Sequence, residues 1–370
     1  MRDYNRILHS SAYRRLKHKT QVFPAPSNDH ICTRIEHVNL VASVSQNISK
    51  FLGLNTELVQ AISVGHDLGH APFGHVGENI LNELSQKEIG SNFWHEKNSL
   101  RIVDEFETLE DPTGKHENLN LTYAVRDGIV CHCGEIDENG LYPRSENINL
   151  ENINKASAFP PYTWEACVVK ISDKIAYLGR DIEDAIMLRI LSWRQQRELG
   201  QIIRKFSPAR IKEINNTVVL HELITNLCSN SNPEVGIRLS ERGFEIMTSL
   251  KDFNYKHIYF HDRLSNYKFF AQLIVKSIYQ TLKQFYSRYK TQSNIEKAIN
   301  LYPLLIRTFM DWLDKYSNTI KHQSLTRKIY SNKILYNLKN KKEYLEAILD
   351  FISGMTDNFA IRVYDELITF

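Results

Sequence analysis

The chain has 370 residues, 42% hydrophobic and 24% charged, a balance that fits a globular protein and excludes disordered and collagen-like chains. No run approaches 18 apolar residues, the opening MRDYNRILHS lacks an apolar signal core, and five cysteines are an odd count, so neither a membrane span, a secretory signal nor a disulfide framework is expected, and the setting reads as cytoplasmic. The net charge of +3 hides an asymmetry: residues 1–190 hold 19 Lys+Arg against 26 Asp+Glu, whereas residues 191–370 hold 27 against 17.

An acidic N-terminal half suits a metal site. A basic C-terminal half suits phosphate-bearing ligands, an acidic neighbouring subunit, or simply a solvated Lys-rich surface. The expected division is a catalytic core at 1–190 and a helical C-terminal region at 191–370 that packs on it and forms oligomer contacts.

Glycine and proline are sparse and the long segments carry helical periodicity, so a mainly α fold is expected. Pro24–Asn28 reads as a loop. In EHVNLVASVSQNISKFLG, the residues Val41, Val44, Ile48, Phe51 and Leu52 recur at steps of three and four, and Gly53 is a natural stop. Asn55 or Thr56 caps the next helix, TELVQAISVGHDLG. Further helices are expected near 95–108 and 119–130, with loops at Glu110–Asn118 and Gly134–Pro161. A helix of about 25 residues starting at Thr163 carries the stripe Val168, Ile171, Ile175, Leu178, Ile182 and Ala185. Beyond it, helices are expected near 195–206, 211–229, 265–290, 294–318 and 340–368, and GFEIMTSLKDFNYKHIYF has room for a short strand or two. The chain shows no internal repeat.

Ten of the fourteen histidines lie before residue 133, so the chemistry is expected there. GHDLGHAPFGH, residues 65–75, sets three histidines and an aspartate among glycines and a proline. His66 and Asp67 suit a divalent first-row metal ion. Neighbours on a helix point about 100° apart, so both reach one ion only at a helix end or bend, which Gly69, Pro72 and Gly74 supply. His70, four residues after His66, lines the same pocket. Other donors must come from elsewhere. His37 opens the preceding helix on its apolar face, where a lone histidine also reads as a hydrogen-bonded core residue. Asp173, Tyr177 and Asp181 make an acidic stripe on an otherwise apolar helix, better explained as the wall of a site than as core. Cys131-His132-Cys133 has the look of a zinc half-site, but no second Cys/His cluster completes it.

Together these residues follow the H…HD…D order of the HD-domain metal phosphohydrolases. The chain resembles the deoxynucleoside triphosphate triphosphohydrolases, the bacterial dGTPase-like family related to the vertebrate SAM-and-HD-domain dNTP hydrolase. RILHSSAYRRLKHKTQVF, RIEH, HDLGHAPFGHVGE, WHEKNSLRIV, NLNLTYAVRDGIVCHCGE and SDKIAYLGRDIEDA carry the resemblance, and GMTDNFAIRVYDEL is similar to the family's C-terminal helix.

The resemblance implies that His37, His66, Asp67 and Asp173 hold one divalent ion, with Mn, Mg, Fe, Zn and Ni all open. It implies a catalytic His75 oriented by Glu78, with His70 and His95 facing the phosphates. It implies phosphate contacts from Arg34 and Lys174 and sugar contacts from Gln21, Tyr177 and Asp181, Tyr177 rejecting a 2′-hydroxyl and Asp181 accepting from the 3′-hydroxyl. His132 is left outside the ligand set, because HCG stands where relatives often carry HSG. The implied reaction is hydrolysis of a dNTP, dGTP among the substrates, to a deoxynucleoside and inorganic triphosphate. The resemblance also implies a homo-oligomer, tetramer or hexamer, with an effector dNTP at a subunit interface and single-stranded DNA as further partners. Two rivals stay open: another HD phosphohydrolase (a nucleotidase, or a cyclic or alarmone nucleotide hydrolase), and a nucleotide- or nucleic-acid-binding protein with little turnover.

Overall fold

The computed structural model describes residues 1–24, 28, 30–133, 138–206, 215–319 and 329–369. Among them are sixteen α-helices and one two-stranded antiparallel sheet, the mainly α class that the periodicity predicts. No helix among the described residues is long and apolar enough to cross a membrane. Residues 25–27, 29, 134–137 and 207–214 lie outside the described ones. The loops expected at Pro24–Asn28 and Gly134–Pro161 are therefore described only in part, and the expected beginning of the 211–229 helix not at all.

Two short helices open the chain, α1 (Arg2–His9) and α2 (Ser11–Arg15). Helix α3 (Arg34–Leu52) starts at a capping box: Glu36 reaches back and accepts from the Thr33 N–H at 2.7 Å. It stops where Gly53 takes a left-handed conformation, φ 72°, that glycine adopts without steric cost. Of its expected stripe, Val41, Val44 and Ile48 are buried, but Phe51 is exposed. Asn55, rather than Thr56, caps α4 (Thr56–Gly65), accepting from the Glu57 and Leu58 N–H groups. The chain turns at 66–69, so the helix ends just before the HD dipeptide, as the two-donor argument requires.

Helix α5 (Gly74–Ile89) was not foreseen, because the glycines and proline ahead of it masked the stripe Ile80, Leu81, Leu84 and Ile89. Helix α6 (His95–Arg101) ends in a π-helical turn, and α7 spans Tyr123–Cys131. Between them lies the single sheet. β1 (Thr108–Glu110) pairs with β2 (His116–Asn118) in the register Thr108↔Asn118 and Glu110↔His116, where a loop was expected. Asp111 makes the turn by accepting from the Thr113 and Lys115 N–H groups.

Thr163 caps α8 (Trp164–Met187) through the Ala166 N–H, and the whole predicted stripe is buried. Helices α9 (Trp193–Phe206), α10 (Asn216–Asn230) and α11 (Glu241–Asn254) follow. Helix α11 corrects the expectation of strands over 243–260: a Ser240 cap on the Gly243 N–H starts a helix that continues into a π-helical turn at Tyr255–Tyr259. Next come α12 (Asp262–Lys283), α13 (Thr291–Lys297), α14 (Pro303–Tyr316), α15 (Lys341–Ser353) and α16 (Asp357–Ile368). The single helix expected over 340–368 is two, because Thr356 caps a fresh start by accepting from the Phe359 N–H. Pro303 similarly begins α14 inside the expected 294–318 helix.

The chain forms two compact units, each drawn from three stretches. Unit one is Met1–Asn5, Gln21–Asp67 and Thr122–Tyr267; unit two is Arg6–Thr20, Leu68–Leu121 and Lys268–Phe370. Neither unit ends at residue 190, where the charge balance changes. Charge marks surface; compact units follow packing. In unit one α8 is central and packs against α3, α4, α7, α10 and α11, burying Ile171, Ile175, Leu178 and Ile182 against Val44, Ile48, Leu223 and Leu250. In unit two α5 and α14 both pack on α15, and α14 also meets α16.

Candidate metal centre and histidine cluster

In unit one, three elements deliver four donors to one place. The first turns of α3 bring His37, the turn after α4 brings His66 and Asp67, and the middle of α8 brings Asp173. His37 Nε2 lies 2.9 Å from Asp173 Oδ1 and 3.9 Å from Asp67 Oδ2. His66 Nε2 lies 3.3 Å from Asp67 Oδ1 and 3.8 Å from Asp173 Oδ1. Donors about 2.1 Å from a common ion sit about 3 Å apart when adjacent and about 4.2 Å apart when opposite; His37, His66 and Asp173 present donor atoms within 4.8 Å of one another, whereas Asp67 groups with His66 and His132. The His66 Nδ1–H donates to the Ser63 carbonyl at 2.6 Å, which fixes the tautomer and turns Nε2 toward the carboxylates.

Electrostatics agree with that donor set. Burial pulls the His37 imidazole down, but the bond and charge of Asp173 and the charge of Asp67 outweigh it and raise it above its usual value. Burial likewise opposes ionisation of Asp173, yet the bond to His37 and the charges of His37 and His66 hold its carboxyl below the usual range. The carboxylates thus favour a positive charge at this place, a proton on His37 or a cation in its stead. Arg34 is wholly buried and donates to Asp67 Oδ2 at 2.5 Å and to the Gln21 carbonyl at 3.3 Å, so it fixes the orientation of a donor carboxylate.

Along α8 the stripe is as the sequence suggests: Lys174 and Asp181 are buried and Tyr177 is half-buried. Asp181 Oδ2 accepts from Tyr259 Oη at 2.6 Å, and burial with the Asp181 charge pushes the Tyr259 phenol well up. The Gln21 amide oxygen is buried with no hydrogen-bond partner among the described residues.

Unit two holds the second cluster. His70, His75, Glu78 and His95 present ligand-capable atoms within 4.8 Å of one another. Helix α5 places His75 and Glu78 one turn apart, and α6 begins with His95. Glu78 is the hub: Oε2 lies 3.2 Å from His75 Nδ1, while Oε1 accepts from the His95 backbone N–H at 2.8 Å and lies 3.0 Å from His95 Nδ1. Burial resists its ionisation, but the charge of His95 and the bonds from both histidines hold its carboxyl well below the usual range. With Nδ1 of each ring facing Glu78, Nε2 is the outward nitrogen. His70 and His95 stack at 3.8 Å, whereas the His75 side chain is 60% exposed.

The loop that carries His70 is pinned. The Gly69 N–H donates to Ser99 Oγ at 2.8 Å, and Asn98 Nδ2 donates to the Gly69 carbonyl at 2.8 Å. Lys19, itself buried, donates to the His70 and Ser353 carbonyls.

A family model described as HD domain matches residues 34–178, a span that holds His37, His66, Asp67 and Asp173. A deoxyguanosinetriphosphate triphosphohydrolase-like protein of Caldanaerobacter subterraneus subsp. tengcongensis is 32% identical over 367 residues, covering 99% of this chain and 84% of the relative. Proteins of the same name from Pelagibacter ubique and Rickettsia rickettsii are 34% and 30% identical, covering 98% and 99% of the chain and 91% and 90% of themselves. The chain belongs to the deoxyguanosinetriphosphate triphosphohydrolase-like family. That membership places it among the HD-domain hydrolases.

In this member of the deoxyguanosinetriphosphate triphosphohydrolase-like family, Tyr259 and Lys19 escaped the sequence reading. Tyr259 lies on the stretch expected as strand, so nothing connected it with Asp181. His132 stands closer to the centre than expected: its ligand-capable nitrogen lies within 4.8 Å of a His66 ring nitrogen and an Asp67 carboxylate oxygen, and its Nδ1–H donates to the Ile129 carbonyl at 2.6 Å. The same i−3 carbonyl bond orients His66, a local signal readable only once both helix ends are known. Lys19 sits in a basic run, RRLKHK, that reads as surface until its burial is seen.

Proposed function

We propose that this chain hydrolyses deoxynucleoside triphosphates, dGTP among them, to the deoxynucleoside and inorganic triphosphate. Water attacks the α-phosphorus, the bond to the 5′-oxygen breaks, and that oxygen takes up a proton. The carrying observation is that α8 gives Asp173 to the quartet and bears Lys174, Tyr177 and Asp181 beside it, Tyr177 and Asp181 about 6 and 12 Å further along the axis. A site that holds an ion at one end of such a stripe has a place for a phosphate there and for a sugar further on.

His37, His66, Asp67 and Asp173 would hold one divalent ion, which neutralises phosphate charge and acidifies water near neutral pH. His75, the exposed imidazole of the second cluster, gives its Nε2 proton to the departing oxygen, and Glu78 keeps its Nδ1–H engaged. Help of this kind is worth about 10²–10⁴-fold in rate. Only Leu68 and Gly69 separate Asp67 from His70 in the chain, and His70 and His95 face the phosphates with Lys174 and the Asp67-bound Arg34. Tyr177 packs on the sugar and disfavours a 2′-hydroxyl, Asp181 accepts from the 3′-hydroxyl, and the Gln21 amide oxygen is a second acceptor for the sugar.

The test is a product analysis. The protein is incubated with Mn²⁺ or Mg²⁺ and each dNTP singly, then with all four together, with GTP as control, and products are separated by ion exchange. Deoxynucleoside plus triphosphate is expected. Monophosphate plus pyrophosphate, or free phosphate, would mean that another bond is cut; no product under any condition would favour a binding protein.

A further inference from the structure

The motif GMTDNF has no part in the chemistry above, yet its aspartate is buried beside the histidine loop. Asp357 opens α16 and accepts three hydrogen bonds from two distant segments of unit two. Oδ1 takes the Phe73 N–H at 2.8 Å; Oδ2 takes the Thr20 N–H at 3.0 Å and the Thr20 hydroxyl at 2.5 Å. Phe73 is a fully buried non-glycine residue at φ 67°, and Gly74 follows at φ 60°. Two successive left-handed residues, one carrying a Cβ, are strained and persist only where the surroundings over-determine them. His75 is the next residue. The direction in which its imidazole leaves the chain is therefore set by this turn.

We infer that Asp357 is a positioning residue for His75: it clamps the Phe73 turn to the Thr20 segment and so holds the imidazole where it can deliver a proton. Lys19, next to Thr20, clamps the other side of the same loop through the His70 carbonyl. The C-terminal helix thus serves the proton-transfer half of the reaction, and the inference rests on the reading of His75 as the acid.

Asp357→Asn keeps the shape but cannot satisfy both segments. If the amide oxygen faces Phe73, the amide nitrogen meets the Thr20 N–H, donor against donor. Two substrates separate positioning from general damage. The 5′-oxygen of dGTP leaves as an alkoxide and needs a proton; the sulfur of the 5′-thio analogue of dGTP leaves the same phosphorus as a thiolate and does not. Asp357→Asn is expected to lower kcat on dGTP by about 30- to 100-fold with KM nearly unchanged. On the 5′-thio analogue the loss is expected to stay within about 3-fold. Thr20→Val, which removes only the hydroxyl bond, is expected to show the same selectivity more weakly and covers the case in which Asp357→Asn does not fold. A parallel loss on both substrates, or none on either, overturns the inference. Imidazole NMR gives a readout apart from activity: the His75 and His95 ring resonances are expected to move in either variant, and unchanged resonances overturn the inference. Failure of the wild-type protein to cut dGTP would instead overturn the proposed function.

Discussion

Alanine at position 69 puts a Cβ into the backbone of α6. The added carbon overlaps the Ser99 nitrogen and the His95 carbonyl oxygen and presses on the Asn98 carbonyl carbon. All three are main-chain atoms, so no side-chain rotation makes room and the loop must lift away from the helix. Lifting breaks the Gly69 N–H bond to Ser99 Oγ and the Asn98 Nδ2 bond to the Gly69 carbonyl, both buried. Two such bonds are worth about 1 kcal/mol each, and overpacking adds about 1–3 kcal/mol, so Gly69→Ala is expected to cost about 3–5 kcal/mol. At about 2–4 °C per kcal/mol for a unit of this size, the midpoint falls by about 10 °C. Calorimetry measures the fall, and metal analysis on the same sample is expected to find the ion still bound, since none of its four donors moves directly. A drop below about 2 °C would show that the loop has room the geometry denies it, and would refute the reasoning.

Asp173→Asn removes one charge from the quartet and the carboxylate that raises His37; metal affinity is expected to fall at least about 100-fold, read as metal content after dialysis. Glu78→Gln releases the Nδ1–H groups of His75 and His95 from their shared carboxylate; kcat is expected to fall about 100-fold with bound metal unchanged, and equal loss of metal would move Glu78 into the ligand set. Asp184, bonded to the Cys32 N–H, is pushed by burial from 3.8 up to about 6. The folded chain then holds a proton that the unfolded chain has lost, so stability falls as pH rises from about 4 to about 6 and stays lower above that. The gap is worth up to roughly 3 kcal/mol. Asp184→Asn is therefore expected to raise the melting midpoint at pH 8 and leave it nearly unchanged at pH 4; equal shifts at both would contradict the assignment.

Where periodicity and caps coincided, the sequence was legible. The stripe of α8 and the Gly53 stop of α3 each carry their own local signal, and each formed as read. The place of the HD dipeptide was legible for a related reason: neighbouring donors reach one point only at a helix end, and the chain turns at 66–69. Boundaries set by a single cap were not legible. Thr356 divides what periodicity joins, and Ser240 makes helix of a segment whose aromatic residues suggested strand. Glu78 as a hub for two histidines and Tyr259 as a partner of Asp181 depend on tertiary approach across 17 and 78 residues, which no local pattern encodes.

The threading of unit two through the chain also sets an order in time. All four quartet donors have been synthesised once residue 173 is made, but the carboxylate that holds the Phe73 turn comes 284 residues after it. At about 5–20 residues per second, the loop carrying His70 and His75 spends roughly 15–60 s without its anchor. A nascent chain therefore acquires His37, His66, Asp67 and Asp173 before it can complete the turn that precedes His75, and a product cut short before Asp357 would carry the first without the second.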